Sequence, residues 1–598
     1  MAETIYQAFA ETAQRFPGRP ALLHKVQGRY RTITFQELSQ TIDAVAAGLA
    51  EHGVGPGTAV GIYSYNRPEW VISDLAVIKL GGVVVPVYHT LPDETVRYIL
   101  CDAAVTRLFV ETPELLATVS RVLPAVPALK EIITFFDPPA ESPTGKKLFS
   151  LEALRQVGVK ALTTTPLRAR AHAAAPDDLV TVCYTSGTTG EPKGAMLTHR
   201  NIMANVTGAI KRFGITEHDV LLSFLPLCHM FERTCGYYTM LLAGAAIGYA
   251  ESVQTIREDI QAVRPTLLIV VPRVLEKVYN AVAEKVLTGP ALSRRLMIAT
   301  LRTYRQSGRL RARHQPLPLG LRLKHRLLGL LVVRKLKQLG GGRIRLLVSG
   351  SAPLEPRLAR TIRSLGFNLL EGYGLTETAP VVCAAVPGEE RVGTVGKPFP
   401  GVEVRIGPND EILVRGPNVM KGYLNKPAET QKTIDAEGWL HTGDQGRFDQ
   451  FGNLIITGRI KELIVTAYGK NIAPVPIEQA LGASQFVEQT VVIGDRRPFL
   501  TALIVPRRST LEDYGRKHGI SFTDFTSLLA DPAISTLFRE EIKLALARFA
   551  PYEQVRDFRL IPEPFTVENG LLTPTMKIRR PVVARVYHEL IESMYQGH

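Results

Sequence analysis

Cysteine and tryptophan are scarce in this chain, five and two residues in 598. The cysteines (Cys101, Cys183, Cys228, Cys235 and Cys383) form no CxxC pair, and an odd, scattered set builds neither a disulfide framework nor a zinc site. Each reads as a small core residue, and a reducing cytoplasm is the expected setting. Long apolar runs are also missing, and none approaches the ~20 residues that span a bilayer. The nearest, Tyr237 to Ala250, carries Gly244 and Gly248 and reads as a buried strand–turn–strand or a core helix. Met1-Ala2-Glu3-Thr4-Ile5 sets no basic patch before an apolar stretch, so a secretory signal is not expected. Acidic residues are absent between Glu284 and Glu355, a stretch that holds sixteen Lys and Arg. The formal net charge is +15, so this one stretch accounts for it and leaves the remainder close to neutral.

What is present describes a folded protein of several parts. With 45% hydrophobic and 21% charged residues, 598 residues exceed the needs of one small core, and two or more domains are expected. Thr34 to Gly53 has helical periodicity, with Thr34 as N-cap, Glu37 three residues on and Gly53 as the stop. Glu69 to Leu80 is a second helix. Thr58–Ser64, Val83–Val87, Thr106–Val110, Leu267–Val271 and Ile344–Ser349 are short apolar runs that read as strands. Alternation of the two implies a mainly parallel sheet covered on both faces. After Gly401 short apolar runs separated by Gly, Pro, Asn and Asp predict antiparallel strands, and from Lys461 a small α+β domain follows, with a helix over Asp531–Phe549.

The chemistry begins at a loop. Val180–Tyr184 reads as a strand and runs into Thr185-Ser-Gly-Thr-Thr-Gly-Glu-Pro-Lys-Gly194. Gly187, Gly190 and Gly194 let backbone N–H groups approach a ligand, Thr185, Ser186, Thr188 and Thr189 offer hydroxyls, and Lys193 brings a positive charge. That suits a polyphosphate, although the spacing is not a Walker A loop, and a Gly/Ser/Thr loop alone is as often a surface linker. The full string resembles the [ST]SGTTGxPKG signature of the adenylate-forming superfamily: acyl-CoA synthetases, luciferases and peptide-synthetase adenylation domains. In that family the loop closes over the ATP β- and γ-phosphates.

Further segments match the family in order. Two more strand–turn elements, ending in Gly350-Ser351-Ala352-Pro-Leu and Glu371-Gly372-Tyr373-Gly374-Leu-Thr376-Glu377-Thr, lie where parallel sheets place ligand crevices. Tyr373 offers an aromatic face and Glu377 a hard oxygen ligand, while the plainer reading of Glu377 is a carboxylate at a helix start. The resemblance implies adenine contacts for both turns, an α-phosphate contact for Thr376, and Mg²⁺ ligation by Glu377 with Thr185. It implies that Asp444 of GWLHTGD binds the ribose, that Arg459 contacts the nucleotide, that Lys461 is the hinge (a position often Asp in relatives), and that Gly469 lines the CoA pantetheine tunnel. Lys577 of LTPTMK becomes the lysine that neutralises the reacting carboxylate and α-phosphate. Pro226-Leu-Cys-His229 resembles the family's loop whose His or aromatic ring sits beside the substrate carboxylate, which implies that place for His229, against a plainer reading as a packed core histidine.

The resemblance runs from TFQEL near residue 34 to Lys577. It implies an α/β fold: a large N-terminal domain (1–460) of parallel α/β subdomains with a small β-barrel-like part, and a small mobile α+β C-terminal domain (461–598). Phe448 and Gly458 depart from residues common among fatty-acid members, Trp and Asp. LTPTMK is nevertheless the form of long-chain fatty acyl-CoA synthetases. Only 21 residues follow Lys577, too few for a carrier domain. The expected reaction is ATP-dependent activation of a long-chain fatty acid to acyl-AMP and thioesterification to coenzyme A; loading of a carrier protein is the alternative. The basic insert, about 285–345, holds Leu328, Leu331, Val332, Leu336 and Leu339 at helical spacing with Arg334, Lys335 and Lys337 between them. Within 302–340 this predicts an amphipathic helix for an anionic membrane surface, or else a solvated hairpin packed on the enzyme. Few aromatics are interleaved, so nucleic acid is not an expected partner. Oligomeric state is not legible.

Overall fold

Helix signals at the chain's start are realised as written. Thr34 caps the helix Phe35–Glu51: its hydroxyl accepts the Glu37 amide at 3.2 Å, and the Glu37 carboxylate accepts the Thr34 amide at 2.8 Å. The second helix is Pro68–Lys79, and the late one is Pro532–Ala545, capped by Asp531. A computed structural model describes residues 3–139, 142, 145–164, 174–185, 191–252, 254–312, 315–566, 568–573 and 578–596. They divide into two units, 1–405 with 413–441 and 448–454, and 406–412 with 442–447 and 455–598.

Among the described residues, the first unit holds two large sheets. The eight-stranded sheet runs Gly422–Tyr423, Lys193–Thr198, Leu179–Thr185, Val83–Val87, Ala59–Tyr63, Arg107–Val110, Glu131–Thr134, Lys147–Ser150. Its pairs are parallel except at the first edge, where Leu179–Thr185 turns back into Lys193–Thr198 and that strand pairs with Gly422–Tyr423. The nine-stranded sheet is parallel through Pro20–Val26, Ala246–Tyr249, Val220–Ser223, Leu267–Val270, Leu346–Ser349 and Leu369–Gly374, with antiparallel strands at both edges. The inner strands are near-continuous apolar runs because helices bury both faces. Val83–Val87 is buried at every position.

The second unit packs Pro474–Gly482 and Pro532–Ala545 on a three-stranded sheet. Val487–Ile493 pairs antiparallel with Leu500–Pro506, which pairs parallel with Val555–Leu560. It is an α+β arrangement.

Two expectations change. Tyr237 to Ala250 is neither a strand–turn–strand nor one helix. A wide-turn helix, Phe231–Tyr238, continues as Thr239–Leu242, turns at Gly244 (φ +79°) and becomes strand Ala246–Tyr249. The run is apolar all round, so periodicity could not separate helix from strand, and the left-handed turn is the breaker. In the basic insert, Leu328 and Val333 are buried with Tyr304, whose ring stacks on His325 at 3.9 Å. Leu331 and Leu339 of the predicted stripe are exposed, and exposed leucines extend earlier, to Leu319, Leu323, Leu327 and Leu330, across helix Leu319–Leu328 and the turn after it. No helix among the described residues is long and apolar enough to cross a membrane.

Candidate active site

Strand Leu179–Thr185 delivers Thr185 to the carboxyl end of the eight-stranded sheet. The chain returns on Lys193–Thr198, with Thr185 opposite Lys193 and its hydroxyl 3.4 Å from the Lys193 carbonyl. Ser186, Gly187, Thr188, Thr189 and Gly190 lie outside the described residues. The Lys193 ammonium pairs with Glu429 and stands over the Tyr423 ring at 5.2 Å. Hydrogen bonds from Lys193, then Lys432, hold the Glu429 carboxyl down at about 2. The hydroxyl of Tyr423 donates to Glu377 Oε1 at 2.7 Å. Burial, then the Glu377 charge, raises that hydroxyl far above its ordinary value, so it stays a donor. Lys193, Tyr423 and Glu377 thus form one contiguous group. Glu429 and Tyr423 went unread in the sequence, because Tyr423 reaches this place through a two-residue strand beside Lys193–Thr198, a pairing without local signal.

Glu377 sits in the one-turn helix Thr376–Thr378, after strand Leu369–Gly374 has carried Glu371, Gly372, Tyr373 and Gly374 to the sheet's end. Gly374 passes so near the chain that a Cβ there would stand 1.6 Å from the Pro380 carbonyl oxygen. Glu371 is opposite Ser349 in the neighbouring strand and pairs with Arg363 at 3.2 Å. Burial pushes the Glu371 carboxyl up to about 7, with Arg363 opposing. Gly350, Ser351 and Ala352 follow Ser349, and Ser351 takes φ +67°. A Cβ on Gly350 would meet the Phe231 ring at 2.9 Å, which ties this turn to the segment after His229. His229 Nδ1 accepts the Phe231 amide at 3.3 Å, which puts the proton of the neutral ring on Nε2. The preceding Cys228 carbonyl takes the Cys183 thiol at 3.5 Å, on the strand that leads to Thr185. Thr185 and Lys193 at the two ends of the phosphate-type loop, the Gly350–Ala352 turn, the Glu371–Gly374 strand end and the His229 loop therefore gather at the carboxyl ends of the two sheets.

The remaining residues belong to the second unit. Asp444 is buried and pairs with Arg459 at 2.7 Å across neighbouring strands, Leu440–Phe448 and Leu454–Arg459. Lys461 lies in the one-turn helix Ile460–Glu462. Gly469 takes φ +71° in the turn between Ile464–Val465 and Asn471–Ile472, a conformation that accounts for glycine there. Lys577 lies outside the described residues.

The donor set bears on magnesium. No group of three or more His, Cys, Asp or Glu suited to a metal occurs among the described residues. A single carboxylate, Glu377, fits an ion that arrives on phosphates and takes few protein ligands, as Mg²⁺ does.

Residues 9–424 match the model of the AMP-binding enzyme family, and 461–598 match that of the AMP-binding enzyme C-terminal domain. The chain belongs to the AMP-binding enzyme family. Among its relatives, this AMP-binding enzyme is 37% identical over 577 residues to the long-chain-fatty-acid–CoA ligase FadD15 of Mycobacterium bovis, covering 95% of this chain and 93% of that one. It is 33% identical over 624 residues to human long-chain-fatty-acid–CoA ligase 1, covering 99% and 86%. In fold it resembles the adenylation domain of a carboxylate reductase from Mycobacterium chelonae (TM-score 0.76, 24% identity, 99% and 91% covered). It also resembles the anthranilate CoA ligase AuaEII, solved with anthranoyl-AMP (TM-score 0.74, 20% identity, 99% and 98% covered).

Proposed function

We propose that this AMP-binding enzyme is a long-chain fatty acid–CoA ligase. The observation that carries the reading is the contiguous Lys193–Tyr423–Glu377 group at the carboxyl ends of two parallel sheets, in a chain whose full-length relatives are named long-chain-fatty-acid–CoA ligases. In the first step a fatty acid carboxylate oxygen attacks the ATP α-phosphorus. The new C–O–P linkage forms, the α–β bridging bond breaks and pyrophosphate leaves. In the second step the coenzyme A thiolate attacks the acyl carbonyl, and AMP leaves with the C–O bonding pair.

Each residue has a part. Thr185, the 186–190 loop and Lys193 hold the β- and γ-phosphates with amides, hydroxyls and one cation. Gly350, Ser351, Ala352, Glu371, Gly372, Tyr373 and Gly374 frame the adenine, Asp444 accepts from the ribose hydroxyls, and Arg459 contacts the nucleotide. Thr376 bonds the α-phosphate. His229 stands at the acyl carboxylate with Nε2 as donor. Lys577 balances the charge that builds as carboxylate and phosphate meet. Lys461 is the hinge and Gly469 keeps the pantetheine path open. Glu377, with Thr185, would hold Mg²⁺, which when bound offsets charge on the departing pyrophosphate.

The exposed leucine stripe 319–331 lies among exposed Arg322, Lys324, Arg326 and Arg334. We read it as the face that rests on an anionic bilayer, where the acyl substrate dissolves. Flotation of Leu323→Glu/Leu327→Glu against wild type on anionic and zwitterionic vesicles checks it. Equal, negligible binding by the wild type in both removes the idea.

The deciding assay for the reaction is AMP release with and without CoA across a ladder of fatty acids. CoA-dependent release that rises toward long chains is expected. ATP–pyrophosphate exchange without CoA-dependent AMP release would point instead to a carrier-protein ligase.

A further inference from the structure

Asn66 stands where the two sheets of the first unit meet. It follows strand Ala59–Tyr63 of one sheet and precedes helix Pro68–Lys79 by two residues. Its carboxamide reaches past the end of strand Val220–Ser223 in the other sheet. Nδ2 donates to the Leu225 carbonyl at 2.6 Å and to Ser223 Oγ at 3.1 Å, and Oδ1 accepts the Leu227 amide at 2.9 Å. One side chain thus holds the entry and the middle of the loop that presents Cys228 and His229.

The far end of that loop is anchored separately. The His229 carbonyl accepts the Arg233 amide at 3.0 Å, and the fully buried Arg233 guanidinium pairs with Asp74 and donates to Thr181 at 2.8 Å. The Tyr237 and Tyr238 hydroxyls donate to the same Asp74 at 2.9 and 2.8 Å. Asp74 lies on the helix that Asn66 precedes. Residues 66–74 therefore grip 223–238 at two points, with the His229 loop between.

Behind Asn66 is a proton-direction relay. Ser223 gives its single hydroxyl proton to Glu232 Oε1 at 2.6 Å, so its oxygen faces Asn66 as an acceptor. A flipped Asn66 amide would set donor against donor at Leu227 and acceptor against acceptor at Leu225, which fixes its orientation. Glu232 is buried, and burial pushes its carboxyl up to about 8. Near neutral pH it is largely uncharged, and glutamine would keep the oxygen that Ser223 uses. Glu232 sits in the wide-turn helix Phe231–Tyr238, an irregularity frequent at functional sites.

We propose that Asn66 is a positioning residue for the acyl carboxylate: backed by Ser223 and Glu232, it fixes the Leu225–Leu227 backbone and so the placement of His229 beside the reacting group. This rests on the fatty-acid activation reading above. The test is ATP–pyrophosphate exchange driven by a long-chain fatty acid, with kcat and KM resolved separately for acid and MgATP. Asn66→Ala and Glu232→Ala are expected to lower kcat/KM for the acid by about ten-fold or more, because small misplacements of a reacting partner are costly. KM for MgATP should stay within about two-fold, since uniform damage would move both substrates together. Glu232→Gln should behave as wild type, and Asn66→Ala should speed hydrogen exchange at the Leu227 amide. If Asn66→Ala does not fold, Asn66→Asp keeps the shape, trades the Nδ2 donor for an acceptor, and should show the same split. Unchanged acid kinetics in the folded Asn66 variant, equal losses for acid and ATP, or Glu232→Gln as impaired as Glu232→Ala would overturn the proposal while the ligase reading stands. A wild type without exchange on any fatty acid would overturn both.

Discussion

Tyr423 donates its hydroxyl to the Glu377 carboxylate across 2.7 Å while its ring lies beneath the Lys193 ammonium. One aromatic side chain thereby orients the oxygen ligand and meets the cation assigned to the same phosphates. Tyr423→Phe keeps the ring and deletes the hydrogen bond. Bonds to charged groups are worth about 1.5–3 kcal/mol, so adenylation should fall by about ten-fold or more at limiting MgATP. Steady-state kinetics with varied magnesium reads it, and an unchanged magnesium dependence would refute the link between Tyr423 and the metal ligand.

If Lys193 holds phosphate as proposed, its pairing with Glu429 sets that carboxylate in competition with the nucleotide. Glu429→Gln should lower KM for MgATP, by no more than about five-fold, because an exposed ion pair contributes roughly 0–1 kcal/mol. Isothermal titration with a non-hydrolysable ATP analogue should give the same direction. Weaker nucleotide binding in the variant would mean that Glu429 helps present Lys193 instead of restraining it.

Lys577→Ala separates binding from chemistry. Adenylation, measured by pyrophosphate exchange, should nearly vanish, with ATP affinity largely intact. Wild-type exchange rates would dismiss the role assigned to this lysine.

Glu371 gives a stability signature. Its carboxyl is raised by burial from 4.5 to about 7, so between these values the folded chain keeps a proton that the unfolded chain has lost. Its contribution is full below about 4.5 and lost as pH rises through about 7, on the order of 3 kcal/mol in the limit. Thermal unfolding from pH 5 to 8 should therefore show a shallower decline in Glu371→Gln than in wild type. Parallel profiles for the two proteins would rule the effect out.

Local chemistry was legible from sequence, and long-range pairing was not. The Thr34 capping box and the strand leading into Thr185 are each encoded within a few consecutive residues, and each forms; the turn expected from Glu371 instead begins later, because Glu371–Gly374 extend the strand Leu369–Gly374. Tyr423, Glu429 and Asn66 acquire their significance from partners 46, 236 and up to 161 positions away. No periodicity records such contacts. Tyr237 to Ala250 misled because a run apolar on every side carries no phase, and in the insert Leu328 alone of the predicted stripe is buried, packed with Tyr304.

The Asn66 bridge also constrains how this chain can be recombined. Its side chain belongs to one sheet and its partners to the other, so a chimera with a crossover between residues 66 and 223 inherits the two halves from different parents. Breakpoints that transfer 59–74 together with 220–238 should yield functional hybrids more often than breakpoints that divide them.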